Sequence, residues 1–230
     1  MPTAKSERTR QLVLDTALRL FRERGFDATS MRDIAEGAGL SLGAAYYYFP
    51  SKEAIVLAYY ASLEERTRAD EERALAEART LRERLAIAYG RKLAAVRRDR
   101  RVLGALVRYV ADPESPLSLF SKETAETRAA AIAGFRHAVE PELAALPPAA
   151  QRLLPPVLWA IYLALLLYAF HDRSRGQART AALVEQLLDL LAATIPMLAL
   201  PFAAPILERV AAAADAAALL PPPPPAPRRR

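Results

Sequence analysis

The sequence predicts an all-α fold: a small N-terminal three-helix unit followed by a larger helical domain. Three observations predict it. Ala, Leu, Arg and Glu, all good helix formers, dominate the composition, and only 8 glycines interrupt 230 residues. Apolar residues recur at helical spacing, and no stretch alternates with period two for long. The breaks between periodic stretches carry Gly, Pro or Ser, the residues that stop and cap helices.

Bulk properties narrow the function. A chain of 230 residues can hold one ordinary core plus a small module. With no cysteine, disulfides, thiolate nucleophiles and Cys-ligated metals are excluded. The opening MPTAKSERTR has no apolar run, so no secretory signal is expected and a cytoplasmic location is. A net charge of +6 and a pI near 9.8 permit an anionic partner without identifying one.

Residues 1–7 read as a flexible arm. With Lys5, Arg8 and Arg10 at its end, it either reaches DNA phosphates or an adjacent minor groove, or is a solvated tail. Arg8 to Arg24 is an amphipathic helix, with Val13, Leu14, Ala17, Leu18, Leu20 and Phe21 on one stripe and Gly25 as its stop. Its apolar face is expected to pack on Ile34, Ala35 and Ala45.

Next come two short helices. Ser30 caps Met31–Gly37, with Asp33 placed for a capping box. Gly37-Ala38-Gly39-Leu40 makes the turn, where glycine permits positive φ. Ser41 caps Leu42–Tyr48, and Pro50 ends it. Helix, glycine turn and helix in this length form a helix-turn-helix, whose second helix enters the DNA major groove. Tyr46, Tyr47 and Tyr48 point about 100° apart, so they cannot all be core residues. Ala45 and Phe49 are the better core candidates.

Ser51 caps a long helix from Lys52 to about Ala78, apolar in its first half and charged in its second. Leu81 to Val96 is amphipathic and ends in a basic patch, 97–101, which either adds phosphate contacts or is a solvated helix end. Val102 to Ala111 is a short apolar helix, and Leu117 to Val139 another, ended at Pro141. Residues 144–150 read as a loop.

Leu153 to His171 carries no formal charge, and Leu190 to Leu207 is a second uncharged run. Both raise a membrane hairpin. The first reads as starting after Pro155-Pro156, which leaves about 15 helical residues, too few to span comfortably. Pro196, Pro201 and Pro205 break the second. Burial in a larger assembly is the preferred reading. The stretch 208–220 suggests an Ala-rich helix, and PPPPPAPRRR a stiff, disordered tail with no function assigned.

The phrases ALRLFRERGFDATSMRDIA and AGLSLGAAYYYFPSKEAI, within Arg10 to Tyr60, resemble the N-terminal domain of the tetracycline-repressor (TetR) family of bacterial transcription regulators. The resemblance covers roughly the first quarter of the chain. It implies a helix-turn-helix DNA-binding domain over 1–51, a helical regulatory and dimerisation domain over 52–207, and a C-terminal extension over 208–230. Ser30, Arg32, Ser41, Tyr47, Tyr48 and Lys52 match the family's phosphate-contacting positions. Leu42, Gly43, Ala44 and Tyr46 match its base-facing positions. That base-facing set lacks Arg, Lys, Asn and Gln, the side chains of bidentate base contacts. Specificity is therefore expected from thymine methyls, from Tyr46 and from DNA shape.

The family also implies a homodimer on a palindromic operator, switched by a small-molecule effector. Its members pair through the last two long helices, which marks Leu158, Leu165, Tyr168, Leu187 and Leu191 as interface candidates. Tyr89, Tyr109, Phe120, Phe135, Trp159 and Tyr162 are candidate pocket walls, with ordinary core or dimer packing as their other reading. Arg108 is the candidate polar anchor. Few charges lie in those helices, so a mostly apolar effector is expected.

No cofactor is expected, and the sequence offers no catalytic constellation. GAGLSLG follows a helix and has the wrong spacing for a dinucleotide loop. His137 and His171 are far apart and lack zinc-motif spacing. The leading expectation is a dimeric, ligand-released repressor. The competing readings are a membrane-anchored regulator or interaction protein built on the uncharged runs, and an enzyme with a helix-turn-helix scaffold.

Overall fold

The computed structural model describes residues 4–97, 100–217 and 219–220. The Pro/Arg tail 221–230, the first three residues of the expected arm, and Arg98 and Asp99 of the basic patch lie outside the described residues. Among the described residues the chain is helical and contains no strand. The α-helices run in chain order as α1 (Ala4–Arg24), α2 (Met31–Gly37), α3 (Leu42–Tyr48), α4 (Lys52–Glu77), α5 (Leu81–Arg97), α6 (Arg100–Ala111), α7 (Ala125–Ala138), α8 (Glu140–Leu143), α9 (Pro148–His171), α10 (Ala178–Thr194) and α11 (Ala204–Ala216). Short 3₁₀ turns at Arg175–Gln177 and Ile195–Ala199 flank α10.

Two compact units form. The first gathers the residues up to Ala74 with Gly90–Ala131; the second gathers Leu75–Tyr89 with the residues from Ile132 onward.

In the first unit, α1 buries Val13, Leu14, Ala17, Leu18, Leu20 and Phe21, the stripe expected from its period. Residues 4–7 continue this helix instead of forming a flexible arm. Ile34, Ala35, Ala45 and Phe49 complete the core from α2 and α3. A Cβ at Gly37 would sit 3.0 Å from the Thr16 methyl, so glycine there sets the close approach of α2 to α1. Ile55, Val56 and Tyr59 bury the first half of α4. Its charged half carries Arg68 between Glu65 and Glu72 on the surface. Helix α6 packs on α1 and buries Leu103 and Leu106.

Residues 117–124 were expected to be helical, and they form turns. Side chains here outcompete the helix for backbone partners. Ser121 Oγ accepts from Thr124 N (3.2 Å) and donates to Pro116 O (2.8 Å), while Thr124 Oγ1 donates to Ser118 O (2.9 Å). Arg128 donates to Leu119 O (2.6 Å), and Leu119 N reaches back to Val110 O (3.0 Å). The helix begins only at Ala125.

In the second unit, Tyr89, Phe135 and Leu158 are fully buried. Tyr89 and Phe135 ring centroids are 5.0 Å apart, and Tyr162 follows 6.1 Å from Phe135. Tyr89 donates its hydroxyl to Leu158 O (2.9 Å), which satisfies the one polar atom of a buried ring. Burial pushes that hydroxyl's pKa well above its ordinary value. Arg84 is also buried. Its Nε donates to Ala138 O (3.0 Å) at the end of α7, and its Nη2 pairs with Glu142 of α8.

Helix α9 corrects two expectations. It starts at Pro148, inside the expected loop 144–150, and Pro155 and Pro156 lie within it, not at its head. Proline is normally costly there, because it removes an N–H and crowds the preceding turn. The flanking residues Leu153, Leu154 and Leu158 are buried, as is Pro155, so packing holds the helix through the interruption. The run is therefore not too short to span a membrane. Pro148–His171 and Arg175–Ala199 are both long and apolar enough to cross one by length and composition.

The turn from α9 to α10 is built on Asp172. Its carboxylate accepts from Ser174 Oγ (2.6 Å) and N (2.9 Å), and from Thr180 Oγ1 (2.6 Å) and N (2.8 Å). These donors, Ser174 first, hold its pKa well below the usual carboxylate range. Arg82 of α5 spans to Glu185 (2.7 Å) and Asp189 (2.6 Å) on α10. Helix α11 lies against α9, with Arg152 paired to Asp215 (2.5 Å).

Candidate nucleic-acid interface

The helix-turn-helix is assembled by local chemistry. Ser30 Oγ accepts from Asp33 N (3.1 Å), and the Asp33 carboxylate accepts from Ser30 N (2.7 Å), a reciprocal capping box. The Ser30 hydroxyl and amide hold Asp33 below its ordinary pKa. Gly39 takes φ +68°, and Leu40 N closes the end of α2 on Ala35 O (2.9 Å). Ser41 Oγ then accepts from Ala44 N (3.2 Å) and opens α3.

Helix α3 has two unlike faces. Ala45 and Phe49 hold it to the core. Arg10 of α1 lies over the Phe49 ring, 4.8 Å from its centroid, and secures the end of the helix. Gly43, Tyr46 and Tyr47 face outward, at i, i+3 and i+4. Tyr46 is 47% exposed and Tyr47 80%. Tyr48 is half-buried and meets the Tyr47 ring edge-on at 5.2 Å. Ser30, Arg32 and Ser41 are exposed on the same helix pair, and Leu42 and Ala44 are half-buried. No atom comes within 4 Å of a Cβ built on Gly43.

Lys52 has a partner within the chain. It stands at the first turn of α4, where a cation is unfavourable. Compensation comes from within the chain: Nζ donates to Phe26 O (2.7 Å) and lies 4.5 Å from the Phe26 ring centroid. Partial burial lowers its pKa.

The sequence matches the family model "Bacterial regulatory proteins, tetR family" over residues 13–59. A second model, "Tetracyclin repressor-like, C-terminal domain", matches residues 84–202. The chain belongs to the TetR family. A TetR-family chain of this kind is a DNA-binding transcriptional regulator and not an enzyme.

Among curated relatives, the repressor KstR2 of Rhodococcus jostii is 50% identical over 54 residues, 24% of this chain and 26% of KstR2. The regulator AcrR of Shigella flexneri is 46% identical over 48 residues, 21% of this chain and 22% of AcrR. These similarities thus span about a quarter or less of the curated relatives. The fold extends further. A TetR-family regulator from Syntrophomonas wolfei superposes with TM-score 0.65 at 18% identity, covering 81% of this chain and 96% of that one. FadR from Bacillus subtilis, solved with stearoyl-CoA, gives 0.61 at 17%, covering 77% and 96%.

The candidate pocket residues are divided between the two compact units. Tyr89, Phe135 and Tyr162 come together in the second unit, and Trp159 is half-buried there. Phe120 is 66% exposed in the turns before α7. Arg108 and Tyr109 belong to the first unit and bond Asp27 in the loop between α1 and α2. Sequence reading missed Asp27, because its partners lie 81 and 82 positions away.

The interface candidates also divide. Leu158, Leu165 and Leu191 are buried within the chain, so they are core residues and not surface available to a partner. Leu187 is half-buried and Tyr168 exposed. The exposed apolar stripe on α9 is instead Val157, Ala160, Ala164, Leu167 and Tyr168. On α10 it is Leu183, Leu190 and Ala193, with half-buried Leu187 between the two leucines. The four- and three-residue steps from Leu183 through Leu187 to Leu190 were a readable signal.

Proposed function

We propose that this regulator is a dimeric repressor that binds a roughly palindromic operator and leaves it when a small, mostly apolar ligand binds. The observation that carries the DNA contact is the split of α3. Ala45 and Phe49 anchor it, and Gly43, Tyr46 and Tyr47 are turned to solvent beside two capped helix starts. Free N–H groups at such starts favour phosphates. Ser30, Arg32, Ser41, Tyr47 and Tyr48 are assigned to phosphates, and Leu42, Gly43, Ala44 and Tyr46 to base edges. Lys52 contributes positive potential from its place against Phe26. Thymine methyls and duplex shape supply the selectivity that a face without Arg, Lys, Asn or Gln cannot.

The apolar stripes on α9 and α10 support dimerisation by pairing into a four-helix bundle. Residues 1–51 then contact DNA, 52–207 regulate and dimerise, and 208–230 extend the chain. Membership of the family and the repressor relative KstR2 support repression. The buried rings of Tyr89, Phe135 and Tyr162, and the stearoyl-CoA held by the structural neighbour FadR, support an apolar effector in the second unit. A cytoplasmic, membrane-free protein fits this role.

Sedimentation of the protein with and without a bound duplex tests the assembly, and cell fractionation tests the location. Two chains per duplex and a soluble fraction are expected. One chain per duplex, or recovery with membranes through α9 and α10, would overturn the reading.

A further inference from the structure

The loop between α1 and α2 is held from two sides. From α4, Lys52 Nζ donates to Phe26 O and covers the Phe26 ring. From α6, Arg108 Nη2 donates to Asp27 Oδ2, and the Tyr109 hydroxyl donates to Asp27 Oδ1. Arg108 Nη2 also reaches Tyr109 Oη (3.1 Å), so the three groups close a ring of contacts. Beneath them the Phe26 ring meets Tyr109 edge-on at 5.3 Å and Phe21 of α1 at 5.1 Å. Phe26 itself is buried. The same loop sets where α2 starts. Thr29 Oγ1 donates to Gly25 O (2.8 Å), and Ser30 follows as the cap.

Helices α2 and α3 have 7 residues each, too short to hold themselves without tertiary support. Their orientation depends on what fixes their entry loop. The Asp27–Arg108 pair is exposed on both sides, so its contribution to global stability is small. Its geometric consequence is larger, because it fixes one end of the reading pair.

We propose that Asp27, Arg108 and Tyr109 form a positioning site for DNA recognition, through which α6 holds the α1–α2 loop and sets the angle at which α3 meets the groove. The inference rests on the assignment of α3 to DNA. Asp27→Asn removes a negative charge from a DNA-binding unit, and charge alone would tighten binding. Positioning requires binding to weaken.

The test measures affinity of the full chain for a selected operator duplex at several salt concentrations, with thermal melts alongside. Asp27→Asn and Arg108→Ala should each weaken binding about tenfold, with melts near wild type. The slope of log affinity against log salt should not change for Arg108→Ala, because no phosphate contact is lost. Exchanging the partners, Asp27→Arg with Arg108→Asp, should restore most of the affinity. Unchanged or tighter binding by Asp27→Asn overturns the proposal, as does a flattened salt slope for Arg108→Ala. Hydrogen exchange of the free protein reads the joint without DNA. Faster exchange over 31–48 in Arg108→Ala supports it, and unchanged protection overturns it. Tyr47→Ala in the same binding assay separates the two levels: if it binds as wild type, the α3 assignment fails, whatever the exchange result says of the joint.

Discussion

Under the proposed DNA contact, fold and function make opposite demands at Gly43. It lies in the first turn of α3 with an ordinary helical backbone, and a Cβ there would meet nothing within 4 Å. Glycine in a helix costs about 0.5–1 kcal/mol relative to alanine, from backbone freedom lost on folding. Nothing within the chain offsets that cost, so Gly43→Ala should stabilise the protein by about 0.5–1 kcal/mol. For a chain of this size that raises Tm by roughly 1–4 °C. In the proposed DNA complex the outward face of Gly43 is also where α3 would come nearest a base edge. A methyl there should hold the helix back from the groove and cost about 1.4 kcal/mol, or tenfold, in operator affinity. Differential scanning calorimetry and fluorescence anisotropy with an operator duplex read the two effects separately. A destabilised variant would refute the open-space argument. A stabilised variant with undiminished affinity would refute the close approach to DNA.

Arg84→Met leaves Glu142 without its buried partner and should destabilise the protein by about 3–5 kcal/mol in denaturant titration, whereas removing both charges should cost less. Asp172 has its pKa lowered in the folded state, so its contribution is present above about pH 4 and is lost as pH falls. Asp172→Asn should therefore lower Tm at neutral pH and reduce the Tm difference from wild type below pH ~4. Leu190→Asp places a charge on the exposed α10 stripe and should give monomers in sedimentation without lowering Tm by more than about 4 °C. Lys52→Met keeps the aliphatic stem but loses the bond to Phe26 O, so it should destabilise by about 1–3 kcal/mol and also weaken DNA binding at every sequence alike.

Legibility in the sequence followed the range of the interaction. Helices α2 and α3 were readable to the residue, because Ser30, Asp33, Gly39 and Ser41 act within three or four positions of themselves. The α1 stripe was readable because a one-sided helix has a phase. Helix α9 is apolar nearly all round and has none, so Leu158 and Leu165 were assigned to the wrong face. Pro155 reads locally as a helix start, and burial beside Leu154 and Leu158 overrides it. Residues 117–124 carry apolar and helix-compatible side chains, but Ser121 and Thr124 turn the backbone through bonds no periodicity reveals. Asp27, Arg108 and Tyr109 meet only through the tertiary fold, and Arg108 looked from sequence like an anchor for a ligand.

The outward face of α3 is proposed to read DNA in two copies held by the exposed stripes of α9 and α10. Selection of bound duplexes from a random pool, with the full chain as bait, tests it most directly. Enrichment of two inverted half-sites about one helical turn apart (~34–36 Å), rich in thymine at the positions nearest α3 and poor in guanine contacts, is expected. Enrichment of a single unrepeated motif, or of half-sites dominated by major-groove guanines, would contradict it.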